Sequence, residues 1–313
     1  MVRIGVDVGG TGIQVGVLDE QLNIIGRGSI ETHTELPFGE QVRRIAECCK
    51  NTVASIGLQE KDIASVGVGI PGIADDKTGM IIKCTNMFWK DAPFRKEFVK
   101  YLNKPIYIDN DASVAALAEN MIGISKGRSS SVLITLGTGI GSGIILDGKI
   151  WNGFHGIGGE LGHTIMMIGG EPCTCGNRGC LERYCSATAI IRMGREAVKN
   201  RPNSLMLEKA GGDPAKITAR TVIDSAREKD PAASEVFSRY VGYLAQAVAN
   251  VVNFLDPEMI VLGGGVSKAG MFLLQPVRDE FPEHVIFRDR PMPSLDLAIL
   301  GDEAGIVGAA MLS

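Results

Sequence analysis

Apolar residues at the start of the chain run in short blocks broken by glycine. Ile4-Gly-Val-Asp-Val-Gly-Gly-Thr-Gly-Ile-Gln-Val-Gly-Val-Leu-Asp19 reads as a strand, a tight glycine turn and a second strand. The arrangement returns in Leu133-Ile-Thr-Leu-Gly-Thr-Gly-Ile-Gly-Ser-Gly-Ile-Ile-Leu-Asp147, and sliding the chain along itself sets Val8 on Leu136, Gly9 on Gly137, Leu18 on Leu146 and Asp19 on Asp147. Two α/β halves, each opening with the same hairpin, are therefore expected. Between the hairpins the pattern predicts a helix over residues 40–56, a buried strand over 66–70 ending in Pro71-Gly72, and a strand over 105–108. Asp109-Asn110-Asp111 then precedes strong helix formers over 112–119, which puts two carboxylates and an amide at a strand-to-helix junction. Val236, Tyr240, Val241, Leu244, Val248, Val251, Val252 and Leu255 recur at helical spacing up to a stop at Asp256-Pro257. A strand over 259–262 runs into Gly263-Gly264-Gly265, a third strand-to-glycine junction, and residues 303–312 read as a small-residue helix that returns to the first half.

Composition narrows the partners. The 313 residues are 45% hydrophobic and 22% charged with a net charge of −4, which describes one large or two medium water-soluble domains with no general attraction to nucleic-acid backbones or anionic lipid. Two uncharged stretches, 129–146 and 240–255, are too short and too rich in glycine or amide residues to span a membrane. The N-terminus has no apolar signal segment, so a cytoplasmic protein is expected. The seven cysteines are odd in number, and four crowd between Cys173 and Cys185, which favours thiols or metal ligands over a disulfide framework.

Glycine lets backbone N–H groups approach a phosphate with no Cβ in the way and permits positive φ where amides converge. Residues 9–12 and 137–143 are followed by strand rather than helix, so neither a P-loop nor a dinucleotide fingerprint is favoured. A lone glycine pair would be a tight turn and nothing more; the repetition, with Gly264 and Gly265 as a third case, points to a nucleotide site. Asp7, two residues ahead of Gly9, is either a strand-end aspartate or an oxygen ligand for hydrated Mg²⁺. At the start of a helix Asp111 is favoured as an ionised base for a hydroxyl proton, and Asn110 offers a donor and an acceptor to a polyol; both residue types also serve as plain N-caps. His163, Cys173, Cys175 and Cys180 meet the tetrahedral need of a structural Zn²⁺, with Cys185 or His155 as an alternative fourth ligand. Glu160 and Glu182 bracket that cluster as partners for sugar hydroxyls or as solvated carboxylates.

Taken together, Asp7-Val-Gly-Gly-Thr-Gly12, Gly69-Ile-Pro-Gly72, Asp109-Asn-Asp-Ala112, Leu136-Gly-Thr-Gly-Ile-Gly141, Gly159-Glu-Leu-Gly-His163, the Cys173-to-Glu182 segment and Leu262-Gly-Gly-Gly265 resemble the ROK family of sugar kinases and repressors over essentially the whole chain. The resemblance implies a two-domain α/β fold of the actin-like ATPase (ribonuclease H-like) type with an interdomain cleft. Its expected domains are 1–111 with 302–313, and 112–301. It implies an enzyme that binds ATP and Mg²⁺ and phosphorylates a hexose, with Asp111 as base and Gly72, Asn110, Asp111, Glu160, His163 and Glu182 at the sugar. Asp7, Gly9, Gly10, Thr11, Gly12, Gly137, Thr138, Gly139, Gly264 and Gly265 would serve the nucleotide, and His163 with Cys173, Cys175 and Cys180 the zinc. Thr85-Asn86-Met-Phe-Trp89 and the alanine-rich helix ending in Glu119 are similar to the family's bacterial glucokinases, so glucose is the expected hexose. An N-acetylhexosamine kinase and a non-enzymatic sugar-responsive protein are the alternatives. Ser113 stands where an Asn is common in the family and Gly12 where a Lys is common. The family's repressors carry a helix-turn-helix ahead of the first glycine motif, where this sequence has three residues before Ile4, so with the acidic net charge DNA binding is not expected. A homodimer or homotetramer is implied as well.

Overall fold

The first expected hairpin is β1 (Val2–Val8) and β2 (Gly12–Leu18), extended in antiparallel register by β3 (Ile24–Glu31). The structure, a computed structural model, describes residues 1–313, the side chain of Thr85 excepted. That side chain, which belongs to the Thr85–Trp89 similarity, lies outside the described residues. Next comes α1 (Phe38–Ser55), two residues earlier at its start than the spacing predicted, burying Val42, Ile45, Ala46, Cys49 and Val53 on one stripe. β4 (Ile63–Ile70) lies parallel to β1. A small antiparallel sheet of β5 (Ile73–Asp75), β6 (Met80–Cys84) and β7 (Trp89–Ala92) follows, with α2 (Phe94–Phe98). A chain of ring contacts from Phe38 through Trp89 and Phe94 to Phe98 packs this addition to α1, with centroids 5.5, 5.9 and 5.6 Å apart.

β8 (Ile106–Asn110), parallel to β4, completes the order β3-β2-β1-β4-β8, and α3 (Asp111–Met121) starts at the very next residue. The second sheet has the same plan. β9 (Ser130–Leu136) and β10 (Ile140–Leu146) are the second hairpin, with β11 (Lys149–Ile150) beyond it. The helices α4 (Glu182–Cys185), α5 (Ala187–Asn200), α6 (Leu205–Lys209), α7 (Ala219–Arg227) and α8 (Pro231–Leu255) intervene before β12 (Met259–Gly263). After α9 (Met271–Glu280), β13 (Ser294–Leu297) closes the order β11-β10-β9-β12-β13, with β12 parallel to both β9 and β13. Last, α10 (Ala304–Ala310) packs onto the face of β1 and β4. The approach is backbone to backbone: a Cβ at Gly5 would sit 1.8 Å from the Ile306 carbonyl oxygen and one at Gly67 1.7 Å from that of Ala309, so only glycine fits.

The chain packs as two compact units, one of Met1–Ser129, Gly143–Gly159 and Ile299–Ser313 and the other of Ser130–Ser142 and Glu160–Ala298. This differs from the boundaries expected at 111/112 and 301/302. α3 goes with the first unit because Gly308 of α10 packs on the Val114 backbone, and a line drawn at the strand-to-helix junction overlooks that approach. Among the described residues no helix is long and apolar enough to cross a membrane.

Candidate active site

In the first unit, β1, β4 and β8 are parallel, so their carboxyl ends form one edge of the sheet. Register sets Asp7 opposite Gly69 and Gly69 opposite Asp109, one row across three strands, and Ile70 opposite Asn110. Asp7 is half-buried, and burial pushes its pKa up, with no hydrogen bond or ion pair among the described residues offsetting it. A carboxylate left uncompensated by its own fold suits a hydrated Mg²⁺. Beyond it Gly9 N–H donates to the Gly12 carbonyl at 3.0 Å, and Thr32 fastens the turn by donating its hydroxyl to the Gly9 carbonyl at 2.7 Å and its N–H to Thr11 at 3.3 Å. Gly10 and Thr11 are exposed.

Of the two roles open to Asn110, the structure displays the cap. Its Oδ1 accepts from Ala112 N (2.9 Å) and Ser113 N (3.2 Å), and its Nδ2 donates to the Gly72 carbonyl at 3.0 Å, which leaves one amide hydrogen for a ligand. Asp111 follows in the first helical turn, half-buried, its Oδ1 accepting from Ala112 N at 2.8 Å. Gly72 is tight against β6, where a Cβ would fall 2.2 Å from the Lys83 carbonyl oxygen.

Asp109, which sequence reasoning left without a role, is buried at 8% exposure. It accepts from Asn110 N at 2.7 Å and from Asn152 Nδ2 at 2.8 and 2.9 Å to its two oxygens; Asn152 Oδ1 in turn accepts from Ser113 Oγ at 3.2 Å. Burial raises the Asp109 pKa to about 6, against the lowering by Asn110 and Asn152. No periodicity or motif signals a contact between residues so far apart in sequence.

In the second unit the carboxyl ends of β9 and β12 bring residues 137–139 and 264–265 to one sheet edge, with Gly263 opposite Thr135. Gly137 N–H donates to the Gly139 carbonyl at 3.0 Å. Helices fasten this turn: Ala187 N donates to Gly137 at 2.8 Å, Thr188 Oγ1 to the Thr138 carbonyl at 2.7 Å, and Ile140 N to Glu182 Oε2 at 3.1 Å. Positive φ, expected at the glycine turns, occurs only at Gly264 (82°); Gly9, Gly10, Gly12, Gly137 and Gly139 do not adopt it. Crowding accounts for two of them instead, since a Cβ on Gly9 would lie 2.7 Å from the Gly12 oxygen and one on Gly139 2.2 Å from Glu182 Oε2. Gly264 and Gly265 are exposed.

One ligand atom from each of His163, Cys173, Cys175 and Cys180 lies within 4.8 Å of the others; Cys185 and His155 are not in the group. Cys175 Sγ is 3.6 Å from Cys180 Sγ, and Cys173 Sγ is 3.7 Å from His163 Nδ1. A disulfide would need about 2.05 Å, whereas the edge of a tetrahedron with Zn–S of 2.3 Å is about 3.8 Å. The donor set and its spacing therefore fit zinc. Gly176 and Gly179 turn the knuckle at φ 97° and 82°. The Asn177 N–H, donating to Cys175, holds that thiol below its ordinary pKa. Glu182 connects the knuckle to the glycine turn, its Oε1 3.8 Å from Cys173 Sγ. Glu160 is exposed at the start of the short turn Leu161–His163 and His163 is half-buried.

The family model described as "ROK family" matches residues 3–313. A glucokinase of Halalkalibacterium halodurans is 37% identical, over 99% of this chain and 94% of its own length. One of Thermotoga maritima is 36% identical, over 99% and 96%. A crystal structure of a ROK family glucokinase from Streptomyces griseus in complex with glucose and AMPPNP superposes with a TM-score of 0.84 at 32% identity, covering 99% of this chain and 98% of that one.

Proposed function

The chain belongs to the ROK family, and from that membership we propose that it is an ATP-dependent kinase that converts glucose to glucose 6-phosphate. The observation that carries the reading is Asp111, a half-buried carboxylate in the first turn of α3, beside the capping Asn110, at the carboxyl edge of the parallel strands. Phosphoryl transfer to an alcohol asks little covalent chemistry of a protein; it needs the hydroxyl in line, its proton accepted and charge neutralised. Asp111 takes the proton of the sugar 6-hydroxyl as that oxygen bonds to the γ-phosphorus and the bond to the leaving ADP oxygen breaks. Asn110, through its remaining amide hydrogen, and Gly72, Glu160, His163 and Glu182 hold the sugar hydroxyls. Asp7 would hold a hydrated Mg²⁺, which when bound neutralises phosphate charge. Phosphate oxygens are served by amides of Gly10, Thr11 and Gly12 in the first unit and of Thr138, Gly139, Gly264 and Gly265 in the second, while Gly9 and Gly137, whose N–H groups close the two turns, shape the site for the nucleotide.

His163, Cys173, Cys175 and Cys180 would hold Zn²⁺ with all four positions filled by protein, so the ion supplies rigidity to the segment that carries Glu182 and no reactivity. The reading also includes a homodimer or homotetramer in the cytoplasm. The test is ADP release with ATP and Mg²⁺ across glucose, mannose, fructose, N-acetylglucosamine and N-acetylmannosamine. Glucose is expected to give the highest kcat/KM. A preference for an N-acetylhexosamine would move the assignment to that kinase class, and no sugar-dependent ADP release would leave a binding protein.

A further inference from the structure

Asn152 stands at the neck of a surface loop over residues 151–159. Its carbonyl accepts from Gly158 N at 2.8 Å, closing the loop on itself, and Trp151 N donates to the Ile144 carbonyl at 2.8 Å just before it. The tip carries Phe154, 92% exposed, with its ring edge-on to His155 at 4.7 Å. Such a loop contributes little packing of its own, so its position depends on the neck. The side chain of Asn152 supplies that anchor: Nδ2 donates to both oxygens of Asp109, and Oδ1 accepts from Ser113 Oγ in the first turn of α3. Asp109 is buried at the end of β8 and itself held by Asn110 N, so it is a fixed point in the sheet. The loop runs without interruption into Glu160 and the turn that holds His163.

We propose that Asp109 is a positioning residue for hexose binding, acting through Asn152 to fix the 151–159 loop against the helix turn that carries Asp111. This rests on the kinase reading above, in which Glu160 and His163 contact the sugar. Asp109 touches no substrate; it orients Asn152 by accepting both amide contacts, which in turn presents Oδ1 to Ser113. Replacing Asp109 by Asn keeps shape and burial but sets two amides face to face. One of the two Nδ2 contacts then becomes donor against donor, so Asn152 either gives up that contact or flips to offer its oxygen and turns Ser113 from donor to acceptor.

The test is steady-state kinetics on purified Asp109→Asn, Asn152→Ala and the exchanged pair Asp109→Asn with Asn152→Asp. In the exchanged pair the new amide at 109 donates to the new carboxylate at 152, which still accepts from Ser113. Asp109→Asn and Asn152→Ala are expected to raise the glucose KM about tenfold while kcat and the ATP KM change less than about threefold. The exchanged pair is expected to recover most of the glucose KM. A purely structural role would lower the unfolding midpoint and the active fraction but leave the glucose KM alone; an unchanged KM in soluble Asn152→Ala, or no recovery in the exchanged pair, overturns the proposal. Wild-type glucose phosphorylation and its loss in Asp111→Asn report separately on the kinase reading.

Discussion

The two glycine turns sit on sheets of one plan, yet they are fastened differently. Residues 9–12 are held from within their own sheet layer, by Thr32 just past β3. Residues 137–139 are held from the helical layer, by Ala187, Thr188 and Glu182, and Glu182 follows the last cysteine of the knuckle by two residues. The same hairpin is thus a rigid part of a sheet in one unit and a dependant of a metal-type knuckle in the other. The carboxyl edges differ too. The first carries Asp7, Asp109, Asn110 and Asp111, whereas the second presents the exposed Gly264 and Gly265 directly after β12. On the proposed reading, one unit of this repeated scaffold takes the acid–base chemistry and the other grips through amides beside the cysteine–histidine knuckle.

The largest effect should come from the acidic edge. Asp111→Asn is expected to lower kcat by about 10³ while glucose affinity, read by titration calorimetry, stays within about threefold. Substantial residual turnover would remove the base from the edge and with it the division of labour. Second in size is the knuckle. Cys175 is exposed, so Cys175→Ser disturbs no packing; it should take zinc from about one ion per chain to none and lower the unfolding midpoint by about 10 °C. Amide exchange sharpens the contrast, since Gly137 N–H should lose protection and Gly9 N–H should keep it. Equal loss at both would show that the two turns are not independently fastened.

Acid stability tests the Asp109 environment. An unfolded aspartate titrates near 4, and burial moves Asp109 to about 6 in the fold. Between those values the folded chain holds a proton that the unfolded chain has released, so this residue's contribution falls as pH rises through the window, by up to about 3 kcal/mol above it. Urea unfolding at pH 4.5 and 7.5 should therefore show a larger loss on raising pH in the wild type than in Asp109→Asn; parallel curves would mean an ordinary carboxylate. The smallest effects compare like with like. Thr32→Val and Thr188→Val each delete one hydroxyl donated at 2.7 Å to a turn carbonyl. Each should cost about 1 kcal/mol, or about fivefold in the ATP KM. A response from only one of the pair would leave one turn at the nucleotide.

Features made by neighbours in sequence could be read from the chain alone. Hairpins, the cap at Asn110, the helix that starts at Asp111, the stop at Asp256 and the cysteine knuckle each depend on residues a few positions apart, where backbone preference and short-range hydrogen bonds decide the shape. The repeat of the hairpin even announced two sheets. Tertiary structure alone decided how those pieces are tied: Asn152 on Asp109, Thr32 and Thr188 on their turns, Gly5 and Gly67 under α10, and α3 with the first unit. It also supplied the small β5–β7 sheet and the helices from α4 to α7, which no spacing argument had marked. Each of these is a meeting of distant segments. Its energy depends on which surfaces folding brings together, and a periodicity that says only which face is buried carries no information about what covers it.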